Sequence, residues 1–370
     1  MIGIIKSIFT NITDYECTKV HNFRSRNVEP LISICIPNHN YENYIKETID
    51  SILAQTYQNF EIIVIDDKST DKSVEIVKSY SDPRIKLYEN DINLYTFRTN
   101  NKAMSLAKGE LITILHSDDK YAPNFLEEIV KSYNKYPQHK VFITGVYFYH
   151  SEDDKLTPWH PYKSGGVKSQ KEVLIRLYHQ NNIGNGVNVV IHRDCLKTVG
   201  VFSSEYKYIA DYDYLLRLAN RYEFVYIPEM LTYYRVHNAN ATSVNIKQSD
   251  RDEEARKIMR NNFLDNENIP KSLQNKLSYI ATSNEIHKAF YMGTRYKSGD
   301  LTRFILNNKR ILDPEIIAEP YWHLIYLHSF LINEKLPKYW LQIASRLGRI
   351  ILYPNKIYVN QLIERLIKQA

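Results

Sequence analysis

Residues 31–37 read LISICIP and residues 60–67 read FEIIVIDD, and these two stretches decide the fold. Each contains a short continuous apolar run, which is typical of a strand buried on both faces of a sheet. Between them, the apolar residues of 44–53 recur mostly at spacings of three and four, which predicts an amphipathic helix. The alternation continues with strands predicted at residues 85–88 and 111–115 and helices near residues 74–80 and 100–107. Strands that alternate with helices imply right-handed crossovers and a parallel α/β sheet.

Polar residues follow three of these predicted strands at the point where each strand ends. They occupy positions 38–42, 66–69 and 116–119, and the last two groups contain two consecutive Asp residues each. The carboxyl ends of parallel strands meet at one edge of a sheet, and ligands bind beyond that edge. The sequence therefore predicts a ligand site to which three strand ends contribute polar side chains.

The second half of the chain carries shorter predicted elements. Strands are predicted at residues 141–148, 187–192, 224–227 and 231–236, and a helix at residues 210–219. From about residue 248 onward the pattern is helical, with breaks at proline and glycine. We therefore expect three parts, namely an N-terminal segment 1–29, an α/β domain 30–245 and a helical C-terminal extension 246–370.

Composition and charge exclude several classes of protein. The chain has 370 residues, of which 24% are charged and 44% are apolar, and its net charge is +6. These values exclude a largely disordered or fibrous chain, and so small a charge does not indicate a nucleic-acid-binding protein. Cys17, Cys35 and Cys195 have neither metal-binding nor redox spacing. Since the sequence also predicts no signal peptide and no membrane span, we expect a reducing, cytoplasmic location.

Each of the two Asp pairs allows a structural and a functional interpretation. Asp118 and Asp119 fit either the cap of a following helix or a hard-oxygen site for Mg²⁺ or Mn²⁺, where the ion neutralises charge on a departing diphosphate. Asp66 and Asp67 fit either a turn before the next helix or a carboxylate that accepts the N3–H of a uracil base. The chain has no glycine-rich dinucleotide motif and no P-loop, which makes those two enzyme classes poor fits.

Two later motifs contain candidate catalytic and phosphate-binding groups. Asp211 and Asp213 open a predicted helix, where the helix dipole favours acidic residues. The functional alternative is a general base that takes a proton from an acceptor hydroxyl. Arg235 and His237 lie on one face of a strand end, where they fit either a structural pair or an electrostatic contact to a diphosphate leaving group.

Together these motifs resemble those of family 2 glycosyltransferases. Residues 33–40 (SICIPNHN) and 51–71 (SILAQTYQNFEIIVIDDKSTD) look like the N-terminal signature of that family, and residues 108–119 (KGELITILHSDD) resemble its D-x-D region. Residues 200–202, 210–217 and 234–237 resemble the later motifs of the family and occur in the same order. The resemblance implies a GT-A fold, which is Rossmann-like with a mostly parallel sheet flanked by helices. It also implies a nucleotide-diphosphate-sugar donor, a Mn²⁺ or Mg²⁺ ion and inversion at the anomeric carbon.

The resemblance assigns roles to residues of this chain. It matches Pro37 and Asn40 to the nucleotide pocket, Asp67 to the uracil contact, Asp118 to the metal-binding carboxylate and Asp211 to the base. The predicted site is completed by nucleotide contacts at Glu42, Asp66, Arg98 and Ser117, by Asp119 as a second metal ligand, and by Arg235, His237 and His116 near the diphosphate.

Three positions depart from the family pattern. His116 stands where the first Asp of the D-x-D motif is common, and Ala210 replaces an acidic residue directly before the predicted base. Residues 93–98 (NLYTFR) contain no glycine where an Asn-Gly-Gly stretch is usual, which leaves the donor sugar open. Two other classes therefore stay in consideration. A non-catalytic sugar- or nucleotide-binding GT-A protein fits the change at His116. A nucleotidyltransferase fits the paired carboxylates, although residues 38–42 lack its glycine-rich or basic phosphate loop.

The expected activity is that of an inverting, metal-dependent glycosyltransferase. It would move a sugar from a nucleotide-diphosphate donor, with UDP favoured, to a hydroxyl of a glycan or lipid-linked acceptor in bacterial cell-surface polysaccharide synthesis. Residues 332–370 contain seven basic and two acidic residues, a net charge of +5, interleaved with aliphatic and aromatic ones. This segment fits either peripheral docking on the anionic inner face of the cytoplasmic membrane or a helix packed on the catalytic domain.

Overall fold

A computed structural model describes residues 28–179, 186–237 and 338–368, together with the helical residues 254–255, 257–259, 261–262, 271–277, 279–280, 283–284 and 287. The predicted N-terminal segment lies almost entirely outside the described residues. The predicted α/β domain is described except for residues 180–185 and its last positions, 238–245.

The first half of the α/β domain forms the predicted parallel sheet. Strands β1 (Ile32–Asn38), β2 (Phe60–Asp66), β3 (Ile85–Glu89) and β4 (Leu111–Ile114) pair in the order β3-β2-β1-β4, and every pair is parallel. They are connected by α1 (Ile45–Leu53), α2 (Ser73–Lys78) and α3 (Thr96–Leu106). Helix α1 buries three isoleucines on one face, as its spacing predicts. Helix α3 begins earlier than the sequence pattern predicts, at Thr96 rather than near residue 100.

The second half extends the same sheet and makes it mixed. In chain order it contains β5 (Lys120–Tyr121), α4 (Phe125–Lys135), β6 (Val141–His150), β7 (Lys155–Trp159), β8 (Gly166–Lys168), α5 (Gln170–His179), β9 (Val189–His192), α6 (Asp194–Thr198), α7 (Ala210–Ala219) and β10 (Phe224–Val236). The full order is β3-β2-β1-β4-β9-β6-β10-β5, with β7 paired to β6 and β8 to β10. The parallel character predicted for the first four strands is thus confirmed, whereas the remaining strands run in both directions.

The direction of β10 decides where its last residues lie. Strand β9 is antiparallel to both β4 and β6, so β6 runs in the same direction as β4. Because β10 is parallel to β6, its carboxyl end meets the same edge of the sheet as the ends of β1, β2 and β4. The two β-rich pieces predicted at 224–227 and 231–236 belong to this one strand. Its register shifts between Ile227 and Thr232, around Pro228, which has no N–H to donate.

Two apolar layers cover the two faces of the sheet. Along β1, Ile32, Ile34 and Ile36 pack into the layer that contains α1 and α4, while Cys35 packs into the layer that contains α3, α5 and α7. This alternation follows from the period of two along a strand. Burying one such isoleucine contributes about 1.5–3 kcal/mol, so both layers contribute to holding the strand ends in place.

The C-terminal helix (Lys338–Lys368) packs against this core. Its Val359, Leu362 and Leu366 are buried in the layer that contains α5 and α7, and Leu352 is also buried. The predicted helical character of the C-terminal extension is confirmed for the described residues. None of the described helices combines the length and the apolar character that a bilayer crossing needs.

Candidate active site

Side-chain hydrogen bonds join the loops that follow β1 and β2. Asn38 Nδ2 donates to Asp66 Oδ1 (2.8 Å), and the backbone N–H of Asn40 donates to Ser69 Oγ (2.9 Å). Asn40 has a left-handed φ of 59°, which Asn adopts more readily than most residues, and its Oδ1 accepts the backbone N–H of Thr70 (2.8 Å). The two strand ends therefore form one hydrogen-bonded unit at the edge of the sheet.

The two members of the first Asp pair differ in their hydrogen bonds. Asp66 Oδ2 accepts the backbone N–H of Ser69 (2.8 Å). Its Oδ1 accepts the hydroxyl of Ser69 (2.6 Å) and the side-chain amide of Asn38. Asp67 Oδ1 accepts Asn90 Nδ2 (2.8 Å) and the backbone N–H of Leu94 (2.7 Å). In the described part of the chain, Asp67 Oδ2 accepts no hydrogen bond. Both oxygens of Asp66 are therefore used inside the turn, whereas Asp67 keeps one oxygen for a ligand.

The other predicted nucleotide contacts have structural partners of their own. Glu42 Oε2 accepts the backbone N–H of Lys72, directly before α2 (2.9 Å). Ser117 Oγ donates to the carbonyl oxygen of Pro37 (2.8 Å), which ties the residues after β4 to the end of β1. Arg98 lies exposed in the first turn of α3. All of the predicted nucleotide contacts except Arg98 thus belong to the carboxyl edge of the sheet.

Three titratable side chains cluster directly after β4. One ligand atom each of His116, Asp118 and Asp119 lie within 4.8 Å of one another. Both carboxylates are buried, with exposed fractions of 5% for Asp118 and 1% for Asp119. His116 Nδ1 lies 3.4 Å from Asp119 Oδ2. Two carboxyl groups this close and this buried disfavour their joint ionisation.

Protonation within this cluster reflects that repulsion. Burial, together with the charge of Asp118, raises the pKa of Asp119 to about 6. Burial acts to lower the pKa of His116, but the contact and the charge of Asp119, with smaller contributions from Asp118 and Asp211, raise it above its usual value. Protons and cations therefore compete for the same group of side chains.

The carboxyl end of β10 closes one side of the cluster. His237 Nε2 lies 3.0 Å from Asp118 Oδ2. Arg235 donates its backbone N–H to Asp119 Oδ1 (2.7 Å) and its Nε–H to the carbonyl oxygen of Asp118 (2.8 Å). The guanidinium of Arg235 also contacts Glu47 of α1. The predicted Arg and His therefore both contact the second Asp pair, and both are buried.

The start of α1 contributes two residues that sequence reasoning did not assign to the site. The ring centroid of Tyr44 lies 4.9 Å from that of His237 and 5.1 Å from Arg235 Cζ. Glu47 forms ion pairs with Arg235 and with Lys120. In the sequence Tyr44 reads as part of an apolar helix face and Glu47 as an ordinary acidic residue of a first helical turn, so neither carries a signal that would single it out.

The predicted base lies at the start of α7. Asp211 is the charged residue in the lining of a mostly apolar cavity. The lining comes from α3, β4, β9 and α7 and includes Met104, Thr113 and Tyr214. Gly186 also lines this cavity with a φ of +87°, and a Cβ atom there would lie 3.5 Å from His116 Cε1. Asp211 also influences the pKa of His116. The predicted base therefore lies near the cluster formed by His116, Asp118 and Asp119.

The second acidic residue of α7 has a structural role. Asp213 Oδ2 lies 2.8 Å from Arg217 Nε, and its Oδ1 accepts Asn262 Nδ2 (3.0 Å). Arg217 in turn donates to the carbonyl oxygen of Val199 (2.6 Å). Asp213 is buried in this network, which favours Asp211 as the group that meets a substrate.

The residues of the cluster after β4 fit a divalent cation. In the described part of the chain, Asp119 Oδ2 is buried and accepts no hydrogen bond, and the nearest group that can carry a positive charge is His116, at 3.4 Å. A buried carboxylate oxygen in this state is stabilised by a cation. Carboxylate oxygens are the ligands that Mg²⁺ and Mn²⁺ prefer. Asp118 and Asp119 would hold such an ion, with His116 beside them.

Comparison with known sequences defines the family. The model of Glycosyl transferase family 2 matches residues 33–200. An uncharacterized glycosyltransferase of Rickettsia typhi is 32% identical over 220 residues, which are 59% of this chain and 68% of that protein. WcaA of Escherichia coli, whose name places it in colanic acid biosynthesis as a glycosyl transferase, is 33% identical over 204 residues, 52% of this chain and 67% of WcaA. The chain belongs to glycosyltransferase family 2 and is a glycosyltransferase.

Solved structures share the fold at low sequence identity. Staphylococcus aureus TarS 1–349 in complex with UDP-GlcNAc superimposes with a TM-score of 0.62 at 16% identity, over 80% of this chain and 90% of TarS 1–349. The mannosyltransferase PcManGT from Pyrobaculum calidifontis in complex with GDP-Man and Mn²⁺ gives 0.53 at 15% identity, over 88% of each chain. The predicted GT-A fold is confirmed.

Proposed function

We propose that this protein is an inverting glycosyltransferase that moves a sugar from a UDP-sugar to a hydroxyl of a glycan or lipid-linked acceptor in bacterial cell-surface polysaccharide synthesis. The observation that carries the proposal is the meeting of two kinds of group at one edge of the sheet. Asp118, Asp119 and His116 offer a cation site, and Asp211 offers a base that influences the pKa of His116. A single base and no second nucleophilic carboxylate suffice for direct displacement with inversion.

The proposed reaction is one displacement at the anomeric carbon. Asp211 takes the proton of the acceptor hydroxyl, and the acceptor oxygen forms the new bond to the anomeric carbon. The bond from that carbon to the diphosphate oxygen breaks, its electron pair stays on the diphosphate, and UDP leaves. The logic parallels the inverting arrangement in sugar hydrolysis, with the acceptor in place of water. A bound Mn²⁺ or Mg²⁺ supplies charge neutralisation for the diphosphate.

The nucleotide would bind where the loops after β1 and β2 meet. The remaining oxygen of Asp67 suits the N3–H of uracil, and the braced loop around Pro37 and Asn40 would form the adjoining wall of the pocket. Glu42, Asp66, Ser117 and Arg98 are proposed to shape the same pocket. Arg235 and His237 would act on the diphosphate side, through their contacts to Asp118.

Two relatives support the choice of substrates. TarS was solved with UDP-GlcNAc, which supports a UDP-sugar donor, whereas PcManGT was solved with GDP-Man and Mn²⁺, which supports the cation and makes GDP-sugars the competing donor class. WcaA, by its name, acts in the synthesis of colanic acid, which supports a polysaccharide product. The donors are distinguished by measuring nucleotide release in the presence of Mn²⁺. The panel consists of UDP-GlcNAc, UDP-glucose, UDP-galactose and GDP-mannose.

The base is tested by Asp211→Asn. We expect nucleotide release and sugar transfer to fall by about 10²–10⁴-fold, because only proton abstraction is lost. UDP affinity, measured by calorimetry, should stay within a few fold of the wild type. Glu205→Gln is the matched control, since Glu205 is an exposed carboxylate in the segment before α7. Near-normal turnover of Asp211→Asn would move the role to another residue.

The cation site is tested by Asp118→Ala and by chelation. Asp118→Ala should weaken both the Mn²⁺ dependence and UDP binding, because the ion is proposed to connect this carboxylate with the diphosphate. Full wild-type activity in EDTA would remove the ion from the proposal. His116→Asp restores the more common acid of the family pattern, and we expect it to alter the preference between Mn²⁺ and Mg²⁺.

We further propose the division into an N-terminal segment 1–29, a catalytic domain 30–245 and a helical extension 246–370, with the extension on the inner face of the cytoplasmic membrane. The two faces of the C-terminal helix support this placement. One face packs on the core, whereas the opposite face exposes Leu347 (48%), Ile350 (68%) and Ile357 (40%) beside the exposed Arg346, Arg349 and Lys356. Basic residues next to apolar ones suit an anionic lipid surface, where each basic residue contributes about 1 kcal/mol.

Vesicle co-sedimentation tests the membrane contact with the full chain. Binding should increase with the content of anionic lipid and decrease at high salt, because the attraction is electrostatic. Replacing Arg346, Arg349 and Lys356 by Gln should abolish it without unfolding the protein, since all three side chains are exposed. Binding that ignores lipid charge, or that survives this triple substitution, would exclude the proposed surface.

A further inference from the structure

The residues directly before α7 determine how the predicted base is presented. Helix α7 begins at Ala210, and its N-cap residue, Ile209, makes no side-chain capping bond. The first N–H groups of a helix and those just before it have no partner within the helix. Asp211 lies in this first turn, so its position depends on whatever holds the segment 205–209.

One carboxylate of the helical extension binds this segment. Glu254 Oε1 accepts the backbone N–H of Lys207 (2.6 Å), and its Oε2 accepts those of Tyr208 (2.8 Å) and Ile209 (3.3 Å). Hydrogen bonds to a charged acceptor are stronger than neutral ones, and a negative charge is also favoured at a helix N-terminus. Glu254 therefore holds the segment that leads into α7, including the N–H of the N-cap residue Ile209, from a distant part of the chain.

Two neighbours of Glu254 extend the same contact. Asn261 Nδ2 donates to the hydroxyl of Tyr206 (3.1 Å), and Asn262 Nδ2 donates to Asp213 Oδ1 (3.0 Å). The described residues between 254 and 262 thus bind both the segment before α7 and its first turn, on either side of Asp211 in the sequence. No other carboxylate in the described part of the chain accepts a backbone N–H from residues 207–209.

The segment also reaches the loop after β3. Lys207 Nζ lies 5.6 Å from the ring centroid of Tyr95, and the loop that carries Tyr95 donates a backbone N–H to Asp67 through Leu94. The residues held by Glu254 therefore lie between the predicted base and the predicted nucleotide contact.

We propose that Glu254 is a positioning residue for Asp211, by which the helical extension fixes the base relative to the donor pocket. This inference rests on the proposed function, because it takes Asp211 to be the base. A carboxylate that fixes three consecutive backbone N–H groups constrains the path of the chain into the first turn of α7. A displacement of about 1 Å in a reacting group costs up to about 10²-fold in rate, so the contact matters for turnover more than for binding.

The test uses the full chain and two matched variants. Glu254→Gln keeps the size of the side chain but removes the charge and one acceptor oxygen. Lys257→Ala removes only an exposed ion pair to Glu205 between the same two segments, and exposed pairs contribute little. With the UDP-sugar that gives the fastest UDP release, we expect Glu254→Gln to lower kcat by about tenfold with an unchanged UDP dissociation constant. Lys257→Ala should stay within twofold of the wild type.

A double-mutant cycle with Asp211→Asn separates positioning from a general structural role. If Glu254 acts through Asp211, Glu254→Gln has no further effect on the residual rate of Asp211→Asn. A purely structural role would lower the rate by the same factor in both backgrounds, and this outcome would overturn the proposal. An active Asp211→Asn would instead refute the proposed base, so the two failures are distinguishable.

A third variant covers the case in which Glu254→Gln does not fold. Glu254→Asp keeps the charge on a shorter side chain, and we expect a kcat between those of the wild type and Glu254→Gln. Thermal unfolding of every variant is measured in parallel. A loss of thermal stability in Glu254→Asp with unchanged kcat would also overturn the proposal.

Discussion

The same dipeptide, Asp-Asp, occurs at the carboxyl ends of β2 and β4, the two parallel strands on either side of β1, and the two copies differ in their chemistry. After β2, Asp66 and Asp67 accept hydrogen bonds from backbone and side-chain N–H and O–H groups. After β4, Asp118 and Asp119 lie beside His116 and His237, and one buried oxygen of Asp119 has no hydrogen-bond partner in the described part of the chain. The carboxylates of the first pair are held by uncharged N–H and O–H donors, whereas those of the second lie close to each other and to the titratable side chains of His116 and His237.

The difference shows that neighbours, rather than the residues themselves, decide what a carboxylate pair does. Ser69, three residues after Asp66, supplies two hydrogen bonds and turns that carboxylate into part of a turn. Asp119 instead accepts one backbone N–H, from the distant Arg235, and burial together with the charge of Asp118 raises its pKa. In the proposed function, the first pair shapes the nucleotide pocket and the second pair holds the cation.

The largest effect that would sharpen this comparison comes from Asp119→Asn. We expect Mn²⁺-stimulated nucleotide release to fall by at least about 100-fold, because a charge that stabilises the leaving diphosphate through the cation is lost. Thermal stability measured without metal should be unchanged or higher, since the amide oxygen can still accept the N–H of Arg235 and a buried charge is removed. A large loss of stability in this variant would mean that both Asp pairs are structural.

The reciprocal experiment on the first pair is Asp66→Ala. It leaves the N–H and hydroxyl of Ser69 without their acceptor and removes one of the two acceptors of the Asn38 amide, and we expect a loss of about 1–3 kcal/mol in the free energy of unfolding. Asp91→Ala is the control, because Asp91 is an exposed acid near the same edge and surface changes usually stay within about 0.5 kcal/mol. Denaturant unfolding without metal measures both values, and an equal stability of the two variants would contradict the assigned role of Asp66.

The sequence was sufficient to predict the first four strands, their direction and the edge at which their polar residues meet. Continuous apolar runs and helical spacing are local properties, and the rules for crossovers convert them into a parallel sheet. The helix at Ala210–Ala219 is likewise predicted with its observed bounds. The antiparallel course of β9 was not predictable in this way, because its partners β4 and β6 are distant in sequence and a four-residue strand carries no sign of its direction.

The candidate site was predictable in its residues but not in their partners. Arg235 and His237 were assigned to the site from a short motif, yet only the fold shows that they contact Asp118. Glu47, Tyr44 and Glu254 were missed because their contacts span long stretches of chain and their residue types are ordinary for a helix. Long-range hydrogen bonds of this kind leave no periodic pattern in a single sequence.

A pH titration of Mn²⁺ binding provides a smaller and more specific test of the second pair. The cation requires the ionised form of Asp119, whose pKa is raised to about 6 by burial and by Asp118. Protons therefore compete as the pH falls through 6, and the Mn²⁺ dissociation constant should rise by about fourfold from pH 7.5 to pH 5.5. The raised pKa of His116 acts in the same direction. Titration of the free Mn²⁺ signal by electron paramagnetic resonance measures this constant.

The corresponding control is the binding of uridine without metal over the same pH range. We expect a flat profile, because uridine has no phosphate that titrates in this range and the proposed base pocket beside Asp67 does not include Asp119 or His116. A flat Mn²⁺ profile would contradict the assignment of Asp119 as a ligand. A steep uridine profile would contradict the proposed difference between the two strand ends.

The smallest expected effect concerns the loop that holds Asp67. Tyr95 follows Leu94 in that loop and adopts φ 66° and ψ 163°, a region that is essentially restricted to glycine and costs about 1–3 kcal/mol for other residues. Tyr95→Gly removes this cost. Against this, glycine costs about 0.5–1 kcal/mol in chain entropy, and the exposed contact to Lys207, which contributes about 0.5–1 kcal/mol, is lost. The midpoints of these ranges leave a net gain of about 0.5 kcal/mol in stability.

Ile92→Gly isolates the contribution of the backbone at Tyr95. Ile92 is 63% exposed in the same loop, and its φ is not positive, so only the entropic cost of glycine applies and the variant should be slightly less stable than the wild type. If Tyr95→Gly raises the thermal stability and Ile92→Gly lowers it, the backbone strain lies at Tyr95, in the loop that binds Asp67. If the KM for the donor sugar also rises in Tyr95→Gly, the strained side chain contributes to recognition of the donor, and the loop that differs from the family pattern then bears on donor choice.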